Sequence, residues 1–533
     1  MRTLKVAILA LVLAGLATTA HAGTDMAALA PADAQAILVT VDAAGLRQML
    51  MESKFWGAFQ DTQAFLEWRA SPKYDQAQEQ IDQFLDKLGM DENAALKAYL
   101  GGTSALVLLP SGDVKKPHGA VLVETTAEMA ARLVAATGAA ESRKHGDIVI
   151  YTVQKEKRTD AMAFAGGILV MGNAAEDALD RVLDVIAGSA PALAAREPFK
   201  AVTAGLPSDW RTLAYAAQVP PHKQPGAVAM YPTDNGRLHF EWRMLGTDED
   251  FDLNKPVVLT GPSAVPDRAV AAVSTVFYPS LIWEKVKAKL GADEAGAPKL
   301  HKAEMFIRGW FPGQTMETLT GAFGPEASLA LLKPDTGGAP GLLALVKLTA
   351  SGRPVAQGFK DGLGAKAMLL AALADPNKPG PKLNVREEKY GDASLLIVEL
   401  PDVLEKIVGD WAKDIALTVA VTDQWLIVGT SVSGVKQTLD CAAGKGASLA
   451  ASLTKDGERV PTDAVTRWGV LSPASASDIV LGFAEKLAGK EKVDQARKLT
   501  NLAELLKLIK RFTWQRTDAP GMATGKADIQ AIE

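Results

Sequence analysis

At 533 residues the chain is longer than one hydrophobic core ordinarily supports, and 48% hydrophobic with 22% charged residues is the composition of a globular protein rather than a disordered one. A formal net charge of −5 argues against nucleic acid, which calls for a basic patch or stripe. The single cysteine, Cys441, excludes an intrachain disulfide.

Residues 1–22 read as a signal peptide. Arg2 and Lys5 supply a positive start, residues 6–17 an uncharged apolar run, and Ala20-His21-Ala22 a small-residue cleavage site before Gly23. Thr18, Thr19 and His21 cut the run short of the roughly 20 apolar residues that a membrane anchor needs. No cysteine stands near the cleavage site to mark a lipoprotein, and no second apolar stretch of that length follows. The expected protein is periplasmic or secreted, cleaved after Ala22, with no transmembrane segment thereafter.

The first half then runs in a definite order. Pro31-Ala32-Asp33 precedes an apolar strand at 36–41, and helical patterns follow at 44–68 and 75–100, where Ile81, Phe84, Leu85 and Leu88 fall at helical spacing. Leu100-Gly101-Gly102 leads into a strand at 105–109, and a polar turn leads to 119–123. After a helix at 126–137, Gly146-Asp147 opens Ile148-Val149-Ile150-Tyr151, and strands at 160–165 and 167–171 meet at the Gly166-Gly167 turn. A helix at 174–187 passes through Leu183-Asp184, Leu206-Pro207 stands before a strand at 212–215, and 236–245 reads as a further strand.

The second half repeats that order. Pro266-Asp267 precedes 270–276, and Leu319-Thr320-Gly321 leads toward Ser328-Leu329-Ala330-Leu331-Leu332 and then 341–346. Gly391-Asp392 opens Leu395-Leu396-Ile397-Val398, residues 420–429 feed a helix at 432–440 ending in Leu439-Asp440, and Val460-Pro461 stands before 466–470. A period this long means duplicated domains, not a solenoid. The expected division is a signal peptide at 1–22, a first domain at 23–246, an Asp-, Gly- and Pro-rich linker at 247–265, and a second domain at 266–533. Consecutive strands joined by tight turns are antiparallel, so the expected class is α+β: two similar domains, each a mainly antiparallel sheet with helices packed on one face.

No catalytic, cofactor-binding or metal-ligating residue set is assigned from the sequence. Gly429-Thr430-Ser431-Val432-Ser433 lacks the closing glycine of a nucleophile elbow. Ser452-Leu453-Thr454-Lys455 matches S-x-x-K without its partner motifs, and Gly521 through Lys526 has the wrong spacing for a phosphate loop. His118, His145, His222, His239 and His301 are scattered, and they read as solvent-facing or packed histidines. Asp248-Glu249-Asp250-Phe251-Asp252 begins like a calcium loop, but Leu253 and Leu259 replace its glycine and closing glutamate, so it reads as a solvated acidic linker. Cys441 reads as a small buried thiol at a helix end.

Two features suit binding. A helix at 490–511 carries Val493, Ala496, Leu499, Leu502, Leu505, Leu506 and Ile509 on one side among basic residues, so it packs on its own sheet or lies on an anionic membrane surface. Trp425 and Trp468 fall within strands and read as core, whereas Trp56, Trp283 and Trp310 lie near the start of each half and are candidates for lining a groove.

The Pro-x-Asp or Leu-Pro opener before a strand, Leu100-Gly101-Gly102 with 105–110, the Gly146-Asp147 strand, and the strand-Gly-helix segment ending in Leu-Asp together resemble a bacterial exported family catalogued as a domain of unknown function. The resemblance covers most of 31–215 and, more loosely, 266–470. It implies a duplicated α+β fold and supplies no catalytic residues. The second half departs from it by keeping one glycine of the Gly-Gly pair and by its Pro-rich insertion near 375–381. The expected function is that of a non-enzymatic protein that binds an envelope partner or an apolar ligand, with peripheral membrane contact through the 490–511 helix left open. The alternative is an exported hydrolase whose site is assembled from residues distant in sequence.

Overall fold

The computed structural model describes residues 24–532 except 112–116, 156–157, 220–222, 233–236, 247–251, 293–295, 311–313, 335–337, 374–382, 400–408 and 489–492. The signal-peptide reading at 1–22 and His222 lie outside the described residues, as does most of the acidic run at 248–252. The fold is α+β, and every strand pairing given below is antiparallel. The chain divides into two compact units: one takes Met1–Gly246 with Leu508–Lys510 and Gly521–Glu533, the other Thr247–Lys507 with Arg511–Pro520. Reading 266–533 as one continuous domain does not anticipate this return of the C-terminus to the first unit.

In the first unit the strands are β1 (Ala36–Val41), β2 (Thr103–Leu109), β3 (His118–Glu124), β4 (Ala140–His145), β5 (Ile148–Gln154), β6 (Thr159–Ala165), β7 (Ile168–Asn173), β8 (Thr212–Val219), β9 (Gln224–Pro232) and β10 (Arg237–Leu245). Pairing places them in the order β10-β9-β8-β1-β2-β3-β7-β6-β5-β4. The helices are α1 (Ala43–Glu52), α2 (Lys54–Gln60), α3 (Gln63–Arg69), α4 (Pro72–Leu88), α5 (Glu92–Leu100), α6 (Ala127–Thr137), α7 (Ala178–Ile186) and α8 (Glu197–Thr203).

The second unit holds β11 (Ala269–Val276), β12 (Phe323–Leu332), β13 (Gly341–Leu348), β14 (Asn384–Tyr390), β15 (Ala393–Glu399), β16 (Ala416–Val421), β17 (Trp425–Gly429), β18 (Arg467–Leu471) and β19 (Ile509–Ala519). Their order is β19-β18-β11-β12-β13-β17-β16-β15-β14, strand for strand that of β9 through β4 in the first unit. Its helices are α9 (Gly261–Ala264), α10 (Pro279–Gly291), α11 (Ala297–Trp310), α12 (Met316–Gly321), α13 (Gly352–Leu373), α14 (Val432–Ala442), α15 (Leu449–Lys455), α16 (Pro473–Ala488) and α17 (Val493–Lys507). The last strand, β20 (Met522–Ala531), belongs to the first unit, where it pairs with β10 from Arg237↔Gln530 to Leu245↔Met522.

Local chemistry explains the boundaries. Gly146 and Gly391 open equivalent hairpins with φ of 59° and 57°, a left-handed conformation that glycine adopts without a Cβ penalty. The helical pattern at 44–68 breaks into α1, α2 and α3 because Ser53 and Thr62 turn their side chains back to accept from the amides of Trp56 and Phe65, each starting a new helix. Gly89, with φ 64°, ends α4, and Asp91 caps α5, which divides 75–100. The helix expected at 490–511 stops at Lys507. From Ile509 the chain carries the strand-favouring Phe512, Thr513 and Trp514 and pairs with β18, Phe512 opposite Leu471 and Trp514 opposite Gly469.

Helices lie against both faces of each sheet, where the sequence predicts one. In the first unit Val107, Ala120, Ile150 and Val170 meet Leu179, Val182 and Leu183 of α7 and Phe199 and Val202 of α8. The opposite parity, Val123, Met162 and Leu169, meets Leu88 of α4, Ala95 of α5 and Leu133 of α6. In the second unit Trp425, Ile427 and Trp468 pack with Val435 and Leu439 of α14 and Leu453 of α15. The other face, through Leu396, Val398, Val419 and Leu426, packs with Ala356 and Ala367 of α13. Strand runs apolar at both parities, such as Leu395 through Val398, carry this two-sided burial in the sequence.

Candidate functional site

Helix α13 packs on the β14, β15 and β16 end of its face and reaches β13 at Leu348. Toward β19 that face stays open and apolar. Leu329 of β12 and Leu342 of β13 are each 58% exposed, and Leu471 of β18 is 36% exposed. Strand register gathers them: Leu331 lies opposite Leu342, Ala271 opposite Leu471, and Leu471 opposite Phe512. The result is an open cleft of about 640 Å³ crossing seven strands from Phe512 and Trp514 of β19 to Leu417 of β16. At strand spacing it is about 28 Å long.

No side chain lining this cleft is titratable, and Thr430 is its polar contributor. Trp514 forms one end wall by lying flat over Gly469: a Cβ on that glycine would stand 2.3 Å from the indole ring. Just beyond, on the same face, Arg467 of β18 is exposed, with its Nε donating to Thr275 Oγ1 at 3.4 Å. Among the described residues Arg467 forms no ion pair. Its cross-strand neighbour is another arginine, Arg516, whose guanidinium is held by Asp518 at 2.6 Å.

A second cavity, about 520 Å³, lies in the first unit between α6 and strands β5, β6 and β7. Alanines 127, 130, 131 and 135 of α6 leave the gap, and Asp147 and Tyr151 share its lining.

Three scattered histidines find carboxylates that the sequence does not reveal. His118 Nδ1 lies 2.6 Å from Asp177, the residue that precedes α7, and this bond holds the Asp177 carboxyl below its ordinary range. His145 lies 2.8 Å from Asp184 and 3.3 Å from Asp180. His239, buried on β10, bonds Asp528 of β20 and stands 3.5 Å from Glu241. Burial opposes ionisation of Glu241, but Lys526, Tyr231 and His239 outweigh it and hold the carboxyl below its usual value. Among the described residues, none of these three histidines bonds a serine or threonine hydroxyl. His301 is exposed on α11.

The remaining sequence candidates resolve into structural roles. Ser431 caps α14 by accepting from the Gly434 amide, which places the Gly429-to-Ser433 text at a strand end and helix start. Ser452 and Lys455 lie on the short helix α15, half-buried and exposed. Gly521 through Lys526 form the turn into β20 and its first residues. Cys441 is buried near the end of α14, its Sγ donating to Ala447 O at 3.3 Å. Trp425 and Trp468 are core. Trp283 is buried with Nε1 donating to Glu317, and Trp56 sits among Phe59 and Phe65 in an aromatic cluster on α2 and α3. The side chain of Trp310 lies outside the described residues.

On α17, Ala496 and Ala503 are buried, Leu499, Leu505 and Leu506 are half-buried, and Leu502 is exposed. The helix packs against α16. Among the described residues no helix is long and apolar enough to cross a membrane.

A scan against protein-family models, a search of curated proteins and a search of solved structures each returned no match.

Proposed function

We propose that the chain is an exported, non-enzymatic binding protein of the resembled family, and that it holds an extended apolar ligand in the open cleft of its second unit. The observation that carries this reading is a run of large apolar side chains left in water on a sheet face. Soluble proteins rarely expose contiguous apolar patches unless the patch is used. Covering the exposed parts of Leu329 and Leu342 is worth about 1 kcal/mol each. The reading of 1–22 as a signal peptide is what supports a location outside the cytoplasm, in the periplasm or beyond.

The test is a titration of the full chain with a neutral fluorescent apolar probe, N-phenyl-1-naphthylamine. Saturable binding is expected, weakened at least five-fold in the Leu329→Gln/Leu342→Gln double variant. Both side chains are already exposed, so the fold should tolerate the change within about 1 kcal/mol. Equal binding by the two proteins overturns the assignment of this cleft.

A further inference from the structure

Nine strands follow one order in both units, so the cleft positions have counterparts in the first unit: Leu329 answers to Leu106 and Leu331 to Leu108, but toward the edges of the cleft the counterparts are smaller. Register equates Leu342 with Gly119, Leu471 with Ala216, Phe512 with Gly226, and Trp514 with Val228. The same pairing equates Arg467 with Thr212, and Arg516 with Met230. A common fold therefore requires neither the bulk at Leu342, Leu471, Phe512 and Trp514 nor the arginines. Among the described residues, the second unit carries this larger apolar edge with a guanidinium at its end.

That guanidinium breaks a local rule. Like charges directly opposite on neighbouring strands are destabilising, and here two arginines face each other with Asp518 holding only Arg516. Thr275 offers Arg467 a neutral acceptor at 3.4 Å, and among the described residues no carboxylate forms an ion pair with it. Along β18 it stands two residues, or about 6.6 Å, beyond the Gly469 position over which Trp514 lies. A local rule broken without visible compensation is the mark of a functional position.

Resting on the binding reading above, we infer that the ligand is a long-chain fatty acid, its acyl chain laid across Trp514, Leu471, Leu329 and Leu342 and its carboxylate paired with Arg467. A planar guanidinium fork matches one carboxylate, and a single charge without an ion pair among the described residues matches a monoanion.

The experiment is displacement of N-phenyl-1-naphthylamine from the full chain by dodecanoate, dodecan-1-ol and dodecyl phosphate. Dodecanoate is expected to compete at roughly ten-fold lower concentration than the alcohol, the scale of one charge-assisted hydrogen bond. Arg467→Gln should bring that ratio to within two-fold, and Arg467→Lys should restore part of it. A ratio near one in the unsubstituted chain, or one unchanged in Arg467→Gln, overturns the carboxylate assignment while leaving the cleft standing. Stronger competition by the phosphate than by dodecanoate also overturns it. Absence of saturable probe binding defeats the underlying cleft reading instead.

Discussion

Cys441 shows how position, not residue type, settles chemistry. Burial pushes its thiol up to about 11, with the charges of Asp267 and Asp440 adding to the effect. The thiolate is the nucleophile, so at pH 8 the folded chain should react with a disulfide reagent more than about a hundred-fold slower than the urea-unfolded chain. Equal rates would show the thiol to be accessible and ionised. The sequence already points to a quiet cysteine beside Leu439-Asp440. It cannot point to His239 with Asp528, because the two lie 289 residues apart and meet only where β20 pairs with β10.

Among the elements, the short helix α9 depends on a carboxylate from another strand. Glu326 of β12 is fully buried and accepts from the Thr260 amide at 2.9 Å, the Thr260 hydroxyl at 3.0 Å and the Gly261 amide at 2.6 Å, with Lys347 Nζ 3.9 Å away. Glu326→Ala strands these donors in the interior and should cost about 3–5 kcal/mol in urea unfolding, the scale of a broken buried ion pair. A loss under 1 kcal/mol would mean that water reaches the site. Much of the element list was legible: Gly146-Asp147 and Gly391-Asp392 mark hairpins, and Trp425 and Trp468 mark core strands. Helix lengths were less so, since the side-chain caps at Ser53 and Thr62 interrupt an unbroken apolar pattern. Layering was hidden for a related reason. Alternation along β12 gives Leu329 and Leu331 no sign that α13 stops short of them.

At the scale of the whole molecule, duplication supplies the reasoning. Nine strands in the same order in both units isolate what the fold requires from what one unit adds, and the addition is Leu342, Leu471, Phe512 and Trp514 with Arg467 beside them. The repeat was legible because turns and strand edges recur in sequence. The cleft was not, since Leu342 and Gly119 become comparable only through register. The return of β20 to the first unit was also invisible, as nothing in the text at 521–533 distinguishes its partner strand. The most direct measurement is quenching of tryptophan fluorescence by a brominated dodecyl ligand in the full chain and in Trp514→Phe. The cleft account predicts saturable quenching in the first that is largely lost in the second. Quenching that stays linear in ligand, or that persists undiminished without Trp514, would contradict it.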